Sequence, residues 1–216
     1  MVILLRYIHV SKEEFSLIKI DDYKLFLHCS VYPPSEDTFF VFDSIDIFFS
    51  SLKFKPVAEP CTGSGFISIK LAMLGANLLA SDLNFLACYV AKENLKKNTL
   101  YFNVNVVCGN VLDFVKKESL SYVICNPPYF PEKVKGIDRF LWWDGSEDGV
   151  GLIKKLISSA KYVLKKDGVL LFLASSFTNL IQIKIALAEN GFLLKQTITK
   201  DLGEEELILF YATKEI

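Results

Sequence analysis

Between Lys55 and Gly191, strand-like and helix-like runs take turns along the chain, and this alternation constrains the fold more than any other feature. "KPVAEP" (55–60), "NLLASD" (77–82), "NVNVVCGN" (103–110), "SYVICNPP" (121–128) and "VLLFLAS" (169–175) read as strands; the last is apolar throughout, as in a strand covered on both faces. "FISIKLAMLG" (66–75), "NFLACYVAKENLKKN" (84–98), "GLIKKLISSAKYVLKKDG" (151–168) and "TNLIQIKIALAENG" (178–191) read as helices. Leu86, Tyr89, Val90 and Leu95 share one side of the second helix. The third presents an apolar face from Leu152 to Leu164, with lysines near its end and Gly168 as its stop. Strands joined by crossover helices run parallel. The final strand runs, "LLKQTITK" and "ELILFYAT", are joined only by "DLGEE", too short for a crossover, so they pair antiparallel. The expected fold is α/β, a doubly wound, mostly parallel sheet with a C-terminal antiparallel hairpin.

Residues 1–53 stand apart from the alternation. "YKLFLHCSVY" (23–32) alternates like a strand. "PPSEDTFFVFDSIDIFF" then becomes a helix that Ser35 or Asp37 can cap, with Val41, Ile45, Phe48 and Phe49 as its apolar stripe. The expectation is one domain over 1–216, with 1–53 as an N-terminal extension packed on the sheet. At 216 residues, 51% apolar and 23% charged, the chain can bury a full core. "MVILLRYIHV" is too short an apolar start for a secretory segment or a membrane span.

Charge narrows the function classes. There are 24 lysines and arginines against 25 aspartates and glutamates, a net charge of −1, without the basic excess that a duplex-gripping protein carries. Lys92, Lys96 and Lys97 form either a local basic patch or a solvated helix face, the commoner use of such runs. Five cysteines lack CxxC spacing and there are two histidines, so no metal site is expected. The cysteines suit reduced thiols in a cytoplasmic setting.

Polar residues gather at strand ends. Glu59 closes the first parallel strand, and Gly63 and Gly65 occupy the turn of "EPCTGSG". Cys61 and Phe66 fill two slots of the dinucleotide fingerprint, so a nicotinamide site matches poorly, and no phosphate P-loop is present. An acid before the loop suits a cation such as the sulfonium and ammonium of S-adenosyl-L-methionine; a plain tight turn is the other reading. Asp82 ends the second strand, where a carboxylate accepts ribose hydroxyls or caps the next helix. Asn110 ends the third, with Val111 behind it to pack on an adenine ring. In open α/β sheets ligands bind along this edge.

"SYVICNPPYF" (121–130) ends an apolar strand in an amide, two prolines and a tyrosine. Prolines stop the ladder and stiffen the loop. A planar nitrogen is a poor nucleophile because its lone pair is delocalised. The Asn126 side-chain oxygen and the Pro127 carbonyl can accept its two N–H bonds and favour the pyramidal, cation-like transition state. Tyr129 offers a flat surface to the planar group. The bare alternative is a strand-terminating turn.

With these residues the chain resembles a class I S-adenosyl-L-methionine-dependent methyltransferase of the HemK type, closest to the archaeal and eukaryotic branch that modifies a glutamine in translation release factors. The resemblance runs from about Tyr32 to the hairpin and includes "SVYPPSEDTFF", the Asn-Pro-Pro-Tyr motif and "WWDGSEDGVGLI". It implies a Rossmann-like, seven-stranded sheet. It also implies cofactor contacts by Thr38, Glu59, Cys61, Gly63, Gly65, Asp82, Leu83, Asn110, Val111 and Asn126, catalysis by Asn126, Pro127 and Tyr129, and substrate contacts by Asn126, Pro128, Tyr129 and Trp142. Two positions depart from the family pattern: Cys61 stands for the first loop glycine and Asn110 for an acid. The implied partners are a release factor as substrate and a small zinc-ribbon activator in a heterodimer, with no membrane and no nucleic acid. The "RFLWWDGSEDGVG" loop reads as a substrate-facing lid or as a loop pinned by its tryptophans. The same pocket chemistry suits an exocyclic amine of DNA or RNA, and related enzymes take lysine. A catalytically silent subunit is the alternative of a different class.

Overall fold

The computed structural model describes residues 15–98, 103–130 and 149–215. Seven strands form one sheet in the order β5-β4-β3-β6-β7-β9-β8. They are β3 (Pro56–Pro60), β4 (Asn77–Asp82), β5 (Val104–Cys108), β6 (Leu120–Cys125), β7 (Leu164–Ser175), β8 (Phe192–Asp201) and β9 (Glu206–Lys214). Each neighbouring pair from β5 across to β7 is parallel, while β9 lies antiparallel between β7 and β8. The expected hairpin therefore inserts its last strand inward and leaves β8 at the edge. Helices α2 (Phe66–Met73), α3 (Phe85–Lys97), α4 (Gly151–Val163) and α5 (Leu180–Glu189) supply the connections, except that a loop leads from β5 to β6 and a turn from β8 to β9. Val169 to Ser175 are buried without a break, and Phe172 stacks on Phe210 of β9 with ring centres 5.0 Å apart.

Before the sheet come a two-stranded hairpin, β1 (Phe15–Ile20) with β2 (Tyr23–His28), and helix α1 (Glu36–Phe48). The hairpin packs on α3 rather than on the sheet. Two asparagines one helical turn apart act as a surrogate strand: Asn94 accepts from the Phe26 N–H and donates to its carbonyl, and Asn98 does the same for Lys24. Helix α1 does lie on the sheet, where Phe48 stacks on Tyr211 and Phe49 meets Tyr122 edge-on. Among the described residues, no helix is long and apolar enough to cross a membrane.

Four local expectations change. Strand β1 was not legible as a strand, and its two-residue turn carries Asp21 at φ +50° with Asp22 in place of the usual glycine. Helix α4 stops at Val163 instead of reaching Gly168. Leu164 already pairs with Leu120 and Val169 with Tyr122, so Lys165 to Gly168 form a bulge inside β7. Tyr89 is exposed and meets the rings of Phe15 and Phe26, not the sheet. Ser35 occupies the α1 N-cap without a side-chain capping bond.

Candidate active site

The strand order reverses between β3 and β6, and the loops leaving β3, β4, β5 and β6 meet there at the carboxyl edge. They enclose a cavity of about 920 Å³, closed on the far side by Ser30 to Tyr32 and the first turn of α1. That size lies toward the upper end of small-molecule sites, roughly 300–1,000 Å³.

The β3 loop forms the floor. Gly63 takes φ +53° and donates its N–H to Asp82 Oδ2 at 3.0 Å. Asp82 Oδ1 accepts from the Asn84 N–H at 2.9 Å, and Asn84 itself caps α3 through Leu86. Asp82 thus joins the two loops, and each oxygen keeps a lone pair for a hydroxyl in the cavity. Burial pushes its carboxyl up, partly countered by the Asn84 and Gly63 bonds. Leu83, Asn110 and Val111 form an adjoining wall, with Leu83 and Asn110 exposed and Val111 buried.

Two cavity residues hold a backbone conformation normally left to glycine. Cys61 has φ +59° and Val111 φ +52°, each a strain of about 1–3 kcal/mol. The buried Ser81 hydroxyl holds Val111 by donating to its carbonyl at 3.0 Å. Strain is thus held at one point of the floor and one of the adjoining wall, as at sites whose shape serves a ligand.

The Asn-Pro-Pro-Tyr motif forms the opposite wall. Asn126, Pro127, Pro128 and Tyr129 all border the cavity, as does Thr38. The Asn126 Nδ2 donates to Asp37 Oδ2 at 2.9 Å. Its other atom, Oδ1, is buried and has no hydrogen-bond partner among the described residues. A buried acceptor left unmatched costs about 1–3 kcal/mol, so this atom would gain from any donor brought to it. Tyr129 also points its hydroxyl at Asp37 Oδ2, at 3.4 Å, and Tyr32 donates to Oδ1 at 3.1 Å. Burial first, and the Asp37 charge second, push both phenols far up, so they stay protonated donors.

Two expected cofactor residues lie behind the wall rather than in it. Glu59 is buried and accepts from Thr62 and Ser68 beneath the loop. Burial raises its carboxyl to about 8, so near neutrality it is mostly uncharged and a weak partner for a cation. Gly65 starts α2 at φ +77°, packed on α3. Trp142, and with it the "RFLWWDGSEDGVG" loop up to Asp148, falls outside the described residues.

Sequence reasoning missed Asp37 as part of the site, taking it for a helix cap, and missed Tyr32. The available signal was an acid in the first turn of a helix whose face is otherwise apolar. Glu205, on the turn between β8 and β9, approaches the same corner; burial, then Asp37, raises its carboxyl. Lys200 bonds Glu36 at 2.7 Å and ties that hairpin to α1.

Residues 46–197 match the family described as Methyltransferase small domain. A provisionally assigned protein N5-glutamine methyltransferase of Methanocaldococcus jannaschii is 31% identical, over 91% of this chain and 98% of that protein. The eRF1 methyltransferase catalytic subunit mtq2 of Schizosaccharomyces pombe is 28% identical, over 82% of this chain and 86% of its own. For the release factor glutamine methyltransferase of Clostridium acetobutylicum the identity is 27%, and the match spans 82% of this chain but 65% of the relative. Among solved structures, the E. cuniculi Mtq2–Trm112 complex matches with a TM-score of 0.65 at 22% identity, over 87% of this chain and 99% of that one. M. jannaschii TYW2 in complex with AdoMet matches with a TM-score of 0.68 at 18% identity, covering 97% and 90%. These two likenesses establish the class I methyltransferase fold.

Proposed function

We propose that this chain, which belongs to the methyltransferase small domain family and within it to the HemK-type enzymes, methylates the side-chain amide of a glutamine in a translation release factor, in its Gly-Gly-Gln loop, with S-adenosyl-L-methionine as cofactor. The observation that carries the reading is the buried, unmatched Asn126 Oδ1 at the cavity wall. An acceptor waiting there calls for an N–H donor, and a primary amide supplies two.

The cavity fits the cofactor. Asp82 offers carboxylate lone pairs for ribose hydroxyls, Leu83, Asn110 and Val111 suit an adenine, and Thr38, Cys61 and Gly63 border the remaining space. Bound there, the cofactor supplies an electrophilic methyl group on a positively charged sulfur. Asn126 Oδ1 and the Pro127 carbonyl take the two N–H bonds of the glutamine amide, and Pro128 and Tyr129 hold its plane. As the nitrogen pyramidalises and gains positive character, both hydrogen bonds strengthen, which is the differential binding that accelerates a reaction. The proton released from nitrogen passes to solvent. Glu59 and Gly65 shape the loop from behind.

One domain over residues 1–216, with 1–53 as its extension, suits this reaction, because Tyr32, Asp37 and Thr38 all reach the cavity. A cytoplasmic setting goes with a translation factor as substrate. A small zinc-ribbon activator fits the edge of β5, which among the described residues has only β4 as a neighbour in the sheet and can accept an added strand. Mtq2 is solved in complex with Trm112, which supports a heterodimer here.

The test supplies labelled cofactor to the purified chain, with and without a candidate activator, and offers a release factor, nucleic acid and lysine-bearing peptides. The expected product is one methyl group on the Gly-Gly-Gln glutamine, located by tandem mass spectrometry. Label on nucleic acid or lysine alone would overturn the assignment.

A further inference from the structure

The two ends of a carboxamide have nearly the same shape and opposite function: the oxygen accepts and the NH2 donates. Rotated by half a turn, Asn126 would face a substrate amide with its own NH2, donor against donor, and the catalytic acceptor would be gone. Neither of the two prolines that follow Asn126 has an N–H with which to hold the amide oxygen. The choice of orientation falls to a group 89 residues away in the chain, the Asp37 carboxylate at 2.9 Å from Asn126 Nδ2.

We propose that Asp37 is a positioning residue that fixes which atom of the Asn126 amide faces the substrate, and so sets the requirement for an N–H-bearing methyl acceptor. This deepens the reading given under Proposed function and rests on it. Every hydrogen-bond partner of the carboxylate donates to it, the Thr38 N–H at 2.6 Å, the Tyr32 hydroxyl at 3.1 Å, the Thr38 hydroxyl at 3.3 Å and the Tyr129 hydroxyl at 3.4 Å, while the Glu205 carboxyl nearby is raised by burial and then by its charge. Asp37 is therefore used purely as an acceptor. A flipped Asn126 would set oxygen against oxygen across the same gap, an arrangement without a hydrogen bond and with charge repulsion. The carboxylate is buried, so water does not compete to relieve that conflict. Tyr129, the residue that flanks the substrate amide in this reading, shares the same carboxylate oxygen, so one acid sets both the acceptor and the flat wall. The consequence for specificity is direct. An acceptor group that offers only lone pairs, such as an ester or a thioether, meets an oxygen it cannot bond.

The experiment compares Asp37→Asn, Asn126→Ala and the double variant. Asp37→Asn keeps the shape but no longer dictates the amide's orientation. It is expected to lower kcat for glutamine methylation by about 10- to 100-fold while the cofactor Kd stays within about threefold. In the Asn126→Ala background the same substitution is expected to change kcat by several-fold less than it does in the wild type, because only its contact with Tyr129 is left to disturb. Losses that multiply in the double variant would overturn the proposal. A second readout needs no methyl acceptor and separates this proposal from the assigned reaction. The Asn126 side-chain NH2 in the wild-type protein should give one downfield, exchange-protected proton resonance that disappears in Asp37→Asn. If the wild type methylates no glutamine yet shows that resonance, the reaction assignment falls and the positioning role is supported. If Asp37→Asn does not fold, the wild-type spectrum alone decides. An Asn126 amide at ordinary solvent-exposed shifts would sink the proposal.

Discussion

A Cβ placed on Gly65 would lie 2.9 Å from both the Cα and the Cβ of Ala91, so α2 and α3 meet at that glycine with no room for a methyl group. Gly65 also holds φ +77°, which an L-residue adopts only with strain. Two independent penalties fall on one substitution. Gly65→Ala should destabilise the protein by about 2–4 kcal/mol, seen as a lower urea midpoint. It should also weaken cofactor binding, because Gly63 lies two residues away in the same loop. An unchanged midpoint would mean that the two helices separate freely.

Glu59 gives the protein a pH dependence of known sign. Its carboxyl is raised from 4.5 to about 8 by burial, partly offset by the Ser68 and Thr62 hydroxyls. Below the unfolded value both states carry the proton. As pH rises from about 4.5 to about 8, the folded state keeps a proton that the unfolded chain has lost, so stability declines across that window and levels off above it. The slope contributed by this one group is at most about 1.4 kcal/mol per pH unit. Glu59→Gln removes the group, and its stability relative to the wild type should climb steadily over the window in urea titrations. A constant difference between the two proteins would show that Glu59 is ionised in the fold.

Strand periodicity and turn chemistry made the parallel sheet and its closing hairpin legible, because each parallel strand from β3 onward is a contiguous run whose end is marked by a polar residue, Gly or Pro. Asp82 and Asn126 could be read as site residues for the same reason. What escaped the sequence depends on contacts between distant segments. Asp37 looks like a helix cap until the fold sets it against Asn126, and Glu59 looks like a ligand until burial behind Thr62 and Ser68 takes away its charge. The end of α4 was misread because "KKDG" is an equally good helix stop or strand bulge, and only pairing with Leu120 decides between them. Strand β1 was missed because the Asp21-Asp22 pair that separates it from β2 lacks the glycine that marks a two-residue hairpin turn.

Asn94 couples the N-terminal hairpin to the glycine-bearing loop after β3. Fully buried on α3, it bonds both backbone groups of Phe26 and also donates to the Ser64 carbonyl at 2.8 Å. Asn94→Ala strands these buried partners and should cost about 2–4 kcal/mol in unfolding free energy. Because Ser64 lies between the two loop glycines, the same variant should raise the cofactor Kd, measured by calorimetric titration. A stability loss with unaltered affinity would show that the hairpin and the loop are independent.

The Asn126 side-chain oxygen is proposed as the acceptor that activates a planar nitrogen. The most direct test of that role is the single-turnover rate of methyl transfer by Asn126→Ala at saturating cofactor, beside the wild type. The rate should fall by about 100-fold or more, as when one preorganised hydrogen-bonding group is removed from an active site. A rate within about threefold of the wild type, at the same cofactor occupancy, would contradict it.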